Sequence, residues 1–145
     1  MIFLEPPKDF HPFHEIAIGF IHHEGKLFMA KRHESKRQGN KWGLPGGKIE
    51  KGETPVQAFA REVFEEIGIH LQEEDIKNFK HVFVRYPERD FCSHMFSVDL
   101  KDKPDIILQE DELTDFQWIQ PEKALALGDD LVLDNDLTIK MFYGL

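Results

Sequence analysis

Hydrophobic and polar residues alternate from His14 to Ile21, with Ile16, Ile18 and Phe20 on one face. A period of two predicts a strand. Glu24-Gly25 reads as a turn, and Lys26 leads into a second strand through Leu27-Phe28-Met29-Ala30, so the pair forms a hairpin. Further strands are predicted over His81 to Arg85 and Cys92 to Leu100, joined by a loop holding Tyr86-Pro87-Glu88-Arg89, and a short one over Phe116 to Ile119. After Glu53 the pattern becomes helical. Thr54 is a capping residue, Pro55 suits the first helical position, and Gly68 closes the element. Val56, Phe59, Ala60, Val63 and Ile67 share the sector expected to pack on the sheet. Pro121 opens a short helix through Leu127, and a last helix starts at Asp134 or Asp136 and runs to Phe142.

The segments between these elements carry turn chemistry. Residues 1–13 hold Pro6, Pro7 and Pro12 and read as an irregular lead-in. Residues 33–41 form a polar, basic loop, Gly43, Pro45, Gly46 and Gly47 force a tight irregular backbone, and residues 101–112 are acidic and irregular. Strands outnumber helices and do not strictly alternate with them. The expected class is therefore α+β, a mixed β-sheet sandwiched between helices, in a single domain over residues 1–145.

Composition narrows the partners. A chain of 145 residues, 41% hydrophobic and 31% charged, suits one globular domain with a sizeable core, and thirteen Phe against two Tyr and two Trp suggest that the core is rich in phenylalanine. The net charge of −9 argues against a nucleic-acid polymer as partner, which needs a basic surface. It leaves a small anionic substrate open, because a bound divalent cation inverts the local field. The lone Cys92 excludes an internal disulfide and fits a reducing compartment. No signal-peptide core follows Met1-Ile2-Phe3-Leu4, and no apolar run approaches the ~18 residues of a membrane span. The expectation is a cytoplasmic protein with no membrane partner; a homodimer is left open.

The chemistry concentrates between Gly46 and Ile69. On a helix, Glu62, Glu65 and Glu66 fall within roughly a third of the circumference. Clustered carboxylates repel one another, and a divalent cation offsets that repulsion; an all-oxygen ligand set favours Mg²⁺ or Mn²⁺. A solvated acidic face is the ordinary fate of such a run, but three details count against it. Arg61 sits inside the patch and can grip a carboxylate through two parallel hydrogen bonds, Glu53 stands just before the helix, and the preceding glycines let backbone carbonyls approach an ion.

This spacing resembles the Nudix box: Gly, five residues, Glu, seven residues, Arg-Glu, an aliphatic residue, any residue, Glu-Glu, any residue, Gly, an aliphatic residue. Gly47, Glu53, Arg61, Glu62, Val63, Glu65, Glu66, Gly68 and Ile69 occupy every specified position. The resemblance implies the Nudix fold and a Mg²⁺-dependent hydrolase, with Mn²⁺ as an alternative, that uses water to cut a phosphoanhydride in a nucleoside diphosphate derivative. It implies Glu65 and Glu66 as metal ligands with the Gly46 carbonyl, and Glu62 as a further ligand or the group that activates water. Glu53 and Arg61 become the pair that holds helix and loop in register. Glu112, with Glu110 as the alternative, takes the place of a later-loop glutamate that joins the metals or serves as base.

Within that family, Lys31-Arg32, Asn40-Lys41, Pro45 to Glu50 and Tyr86-Pro87-Glu88-Arg89 resemble the MutT-type branch of nucleoside triphosphate pyrophosphohydrolases. Arg32 is then expected on the phosphates, Trp42 or Tyr86 as an aromatic face for the base, and Asn135 on the base edge. Leu44 stands where that branch carries a phenylalanine. A nucleotide sugar or a dinucleoside polyphosphate is the alternative substrate class. A binding module on the same scaffold is the third reading, although such modules usually lose box carboxylates and this chain keeps them all. The eight histidines show no dense metal spacing and are read as surface or strand residues, and Cys92 as a small strand residue.

Overall fold

The computed structural model describes residues 1–145. Its elements are β1 (Ile2–Phe3), β2 (Pro12–His23), β3 (Lys26–Arg32), β4 (Trp42–Gly43), β5 (Gly46–Lys48), α1 (Pro55–Ile67), β6 (Lys77–Tyr86), β7 (Arg89–Leu100), β8 (Leu113–Ile119), α2 (Pro121–Leu125) and α3 (Asn135–Tyr143). The strands form one sheet in the order β1-β6-β7-β2-β3-β4, with β5 against β2 and β8 against β3. β2 lies parallel to β7, and the other strand pairings are antiparallel, so the sheet is mixed as expected. No helix is long and apolar enough to cross a membrane.

The period of two places alternate residues of β2 in different cores. Ala17 and Ile21 join Ala58, Phe59, Val63 and Ile67 of α1. Phe20 joins Met95 and, from the C-terminal segment, Ala124, Leu131 and Ile139. The sheet is thus covered by α1 on one side and by α2 and α3 on the other. Five of the thirteen phenylalanines, Phe20, Phe28, Phe59, Phe91 and Phe96, are buried and Phe79 and Phe142 pack against them, which makes the core rich in phenylalanine, while Phe13, Phe64 and Phe116 are exposed.

α1 is capped from both directions. The Gln57 amide donates to Thr54 Oγ1 (3.2 Å) and the Thr54 amide donates to Gln57 Oε1 (3.0 Å). Gly68 ends the helix in the left-handed region at φ 77°, and its amide donates to the Phe64 carbonyl. Phe59, Val63 and Ile67 are buried as the stripe requires and Val56 packs beside them, while Ala58 is buried as well and Ala60 is only half-buried.

The strands outrun their sequence limits. The lead-in is not wholly irregular: Ile2 and Phe3 pair with Val84 and Phe83 on the edge of β6, and β2 begins at Pro12. Such a pairing is decided by an open sheet edge far along the chain, which two apolar residues do not reveal. β6 starts at Lys77 and β8 at Leu113, earlier than the hydrophobic pattern suggests, because polar residues are tolerated where one face meets solvent. The expected loop at 86–89 contracts to the turn Pro87-Glu88. α3 begins after Asp134, which adopts a left-handed φ of 66° and makes no side-chain cap.

At Gly19, in the middle of β2, the Phe59 ring of α1 lies directly against the strand. A Cβ there would lie 2.3 Å from the Phe59 ring, which has no exposed surface and no room to retreat. Gly19→Ala should therefore destabilise the fold by about 1–3 kcal/mol, the usual cost of overpacking a closed core. Thermal or urea unfolding measures it, and an unchanged midpoint would show that α1 can lift off the sheet freely.

Candidate active site

The Gly43 to Lys48 segment lies across β2 and meets the acidic edge of α1. Pro45 accepts from the Gly19 amide (3.1 Å), and β5 pairs Gly46, Gly47 and Lys48 with Ile18, Ala17 and Ile16. Gly46 has φ 149°, and a Cβ there would lie 2.1 Å from the Ala17 carbonyl oxygen. At Gly47 a Cβ would lie 2.4 Å from the Glu62 carboxyl carbon. The two glycines let the loop sit flush against strand on one side and carboxylate on the other. Gly46 also donates its amide to Glu66 Oε1 (3.2 Å).

Arg61 organises the carboxylates. Its Nε and Nη2 donate to the two oxygens of Glu53 (2.8 and 2.9 Å), Nη2 also donates to the Lys48 carbonyl (3.0 Å), and Nη1 donates to Glu62 (3.0 Å) and Glu65 (3.2 Å). Glu53 in turn accepts from the Glu50 amide at 2.9 Å. The Arg61 hydrogen bonds hold the Glu53 carboxyl below its ordinary range. Glu65 is half exposed, whereas Glu62 is mostly covered. Burial raises the Glu62 pKa against the pull of Arg61. Glu66 is pushed further, up to about 8, first by burial and then by the charge of Glu62.

Of these carboxylates Glu66 alone lines a cavity of about 270 Å³, together with Gly46 and Gly47; Tyr86, Phe91, Asp134 and Asn135 line it as well. Arg32, Arg37, Lys48 and Arg89 also line it. Arg89, Lys48 and Arg37 depress the His14 pKa, after burial, so this wall is electropositive despite the net charge of −9.

The other expected site residues are placed unevenly. Arg32 lines the cavity and donates Nε to the Arg37 carbonyl (2.8 Å), leaving its terminal nitrogens free of protein partners. Glu112 approaches Glu66 closely enough to raise its pKa and is gripped by Lys36 (2.7 Å). Glu110 lies in the exposed turn before β8 and makes no side-chain contact of note. Asn135 accepts the Leu44 amide on Oδ1 (3.2 Å), and Tyr86 donates its hydroxyl to the Leu133 carbonyl (3.0 Å). Trp42 does not line the cavity. Its pairing with Lys31 and Leu131 turns it into the core beside α3, and Leu44 reaches the cavity instead.

Sequence reasoning missed His14, Arg37 and Ser93. His14 shares the face of Ile16 and stacks on Phe91, with ring centroids 5.5 Å apart. Ser93 is buried between Phe91 and Met95, and its Oγ, like His14 Nδ1 and Arg89 Nε, has no partner in the protein. A polar residue at an inward position of an apolar strand was the available signal.

A NUDIX domain profile matches residues 12–138. The chain belongs to the Nudix hydrolase family. It is 41% identical over 76 residues to the 8-oxo-dGTP diphosphatase of Escherichia coli (strain K12), a stretch spanning 52% of this chain and 57% of that protein. It is 29% identical over 113 residues to the CTP pyrophosphohydrolase of the same strain, spanning 77% and 78%. Among solved structures, the MutT protein from Methanosarcina mazei Go1 superposes with a TM-score of 0.78 at 25% identity, covering 92% of this chain and 94% of that one. In sequence and in its α+β fold this Nudix chain is thus MutT-like.

The raised Glu66 carboxyl has a thermodynamic consequence. Its unfolded value is near 4.5 and its folded value about 8, so between them the folded chain holds a proton that the unfolded chain has released. Without divalent cations, stability should fall as pH rises from 4.5 toward 8. Glu66→Gln should flatten most of that slope in urea unfolding across the range. A variant with the wild-type slope would mean that Glu66 ionises normally.

Proposed function

We propose that this Nudix domain hydrolyses a (deoxy)nucleoside triphosphate between its α and β phosphates, giving a monophosphate and pyrophosphate. The observation that supports this reading is the layout of a single cavity. Glu66 brings the acidic cluster of α1 to its lining, Arg32, Arg37, Lys48 and Arg89 make a cationic wall, and apolar and aromatic residues line the rest with a few polar atoms among them. A triphosphate needs the first two, and a base needs the third.

The donor set suits a divalent cation of the Mg²⁺ or Mn²⁺ kind. Glu65 and Glu66, with Glu62, Glu112 and the Gly46 carbonyl around them, offer only oxygens, and a carboxylate as strained as Glu66 gains most from a cation beside it. When bound, such a cation neutralises phosphate oxygens and lowers the pKa of water. The chain's own part is positioning. Glu62, whose burial raises its proton affinity, takes the proton as the water oxygen bonds to phosphorus and the bridging P–O bond breaks. Arg61 and Glu53 hold α1 and the glycine loop in one register and touch no substrate. The free guanidinium nitrogens of Arg32 meet phosphate oxygens through their planar fork. Tyr86 and Phe91 flank the base, and the Asn135 amide nitrogen and Ser93 Oγ face its edge.

Incubation with a panel of nucleotides and Mg²⁺, read for released products, tests the reading. The expected products are a monophosphate and pyrophosphate. The reading fails if ADP-ribose or a dinucleoside polyphosphate is turned over at least about tenfold better by kcat/KM than every triphosphate tested, oxidised guanine forms included. Glu65→Gln and Glu66→Gln should each lower kcat on the order of a hundredfold while the fold survives. Retention of half the turnover under saturating Mg²⁺ would remove that residue from the metal site.

Substitutions at the cavity separate phosphate from base. Arg32→Ala should raise KM more for triphosphates than for sugar diphosphates. Asn135→Asp keeps the acceptor for the Leu44 amide but turns the remaining amide nitrogen into an oxygen, so it should reorder the preference among bases. An unchanged ranking would take Asn135 off the base edge.

A further inference from the structure

We propose that the face of the sheet opposite the cavity carries a separate site for a thiolate-binding divalent cation of the Zn²⁺ class, built from Glu15, His81 and Cys92. The strand register creates it. Glu15 stands beside Cys92 in the parallel β2–β7 pair, and His81 stands beside His94 in the antiparallel β6–β7 pair. Ala17 and Phe96, farther along β2 and β7 on the same face, lie in the core under α1. His94 sits at the rim of that cover, beside Pro55 and Val56 of α1, and Glu15, His81 and the buried Cys92 follow it on the same face.

The geometry is close to that of a metal centre. One donor atom from each of Glu15, His81 and Cys92 lies within 4.8 Å of the other two. Tetrahedral zinc, with bonds of about 2.0–2.3 Å, places its ligands roughly 3.3–3.8 Å apart, so closure asks for about an ångström of side-chain movement. A thiolate, an imidazole and one carboxylate favour Zn²⁺ over Mg²⁺, which prefers all-oxygen sites. The two ends of the chain's metal chemistry are thereby kept apart: oxygen donors on α1, mixed donors here.

His94 takes a different part. Its ring stacks on that of His81 with centroids 4.0 Å apart and planes 12° from parallel. An ion lies in the plane of each imidazole that binds it, and two parallel planes so separated share no such point. His94 Nε2 instead donates to Glu15 Oε1 at 3.0 Å and fixes the carboxylate, which makes it a positioning residue. Burial and the neighbouring His94 lower the His81 pKa, which keeps its lone pair available at neutral pH. Burial and Glu15 raise the Cys92 thiol, so its proton passes to solvent only as an ion binds.

The site is joined to the cavity through the strands themselves. His14 and Ile16 flank Glu15, Val82 follows His81, and Phe91 and Ser93 flank Cys92; all five line the cavity on the other face. An ion on the outer face pins together the three strands that form the cavity floor.

Co²⁺ titration in excess Mg²⁺ tests the proposal, because Mg²⁺ occupies the carboxylates of α1. Cys92 is the only cysteine, so a thiolate-to-cobalt absorption band in the near ultraviolet has a single source. The band should saturate at one ion per chain, vanish on adding Zn²⁺, and be absent in Cys92→Ser. His94→Ala should weaken binding about 10–100-fold, and His81→Ala, which removes a ligand, at least as much. The His81 side chain is exposed, so its removal spares the core and keeps the test decisive if Cys92→Ser folds poorly. Absence of the band, or a band of unchanged affinity in both His81→Ala and Glu15→Gln, would overturn the proposal.

Discussion

One guanidinium holds the functional end of this protein together. Four carboxylates, Glu53, Glu62, Glu65 and Glu66, crowd onto one edge of α1 and the loop before it, and the Arg61 hydrogen bonds engage three of them and the Lys48 carbonyl. Without that cation the carboxylates would repel one another, and only the Gly46 amide to Glu66 hydrogen bond would tie the loop to the helix. Because Arg61 is itself a residue of α1, the helix carries its own clamp, and the position of the glycine loop follows from where the helix lies on the sheet. The contacts beneath α1, Phe59 against Gly19 above all, therefore set the site's geometry from below.

Glu66 is the exception in the cluster. It makes no contact with Arg61; its hydrogen bond is to the Gly46 amide, a neutral donor, and its carboxyl is driven up to about 8. A neutral donor offsets less desolvation than a charged one, so this carboxylate is the most costly to ionise in the free protein. The fold tolerates it because α1 is anchored by its caps and by the fully buried Phe59, Val63 and Ile67. The strain thus sits where a cation would relieve it, beside the cationic wall of the cavity.

The helix was legible because every signal agreed there: cap, proline, apolar stripe and closing glycine all lie within one short segment. The family was legible for the same reason, since its box is local in sequence. What sequence did not disclose is non-local. Ile2-Phe3 on β6, the true starts of β6 and β8, and the turning of Trp42 into the core all depend on partners tens of residues away. The cavity shows the same division. Tyr86, Arg32 and Asn135 came from motif likeness, but His14, Arg37 and Ser93 line it through register, which a single strand's alternation does not specify. The cluster of Glu15, His81, Cys92 and His94 was invisible for that reason too: only Cys92 and His94 share a strand face, and three aligned strands are needed to bring Glu15 and His81 to them.

The one parallel pairing also bears on how the chain folds. β2 joins β3, and β6 joins β7, through short turns, but β2 meets β7 only by bringing together residues such as His23 and Leu100, 77 positions apart. Closing so long a loop costs entropy before any contact repays it, so this junction belongs late in assembly. The floor of the cavity is that junction. A chain with both hairpins made and the junction open would have much of its secondary structure but no binding site, so appearance of nucleotide binding during refolding would time the final long-range step directly.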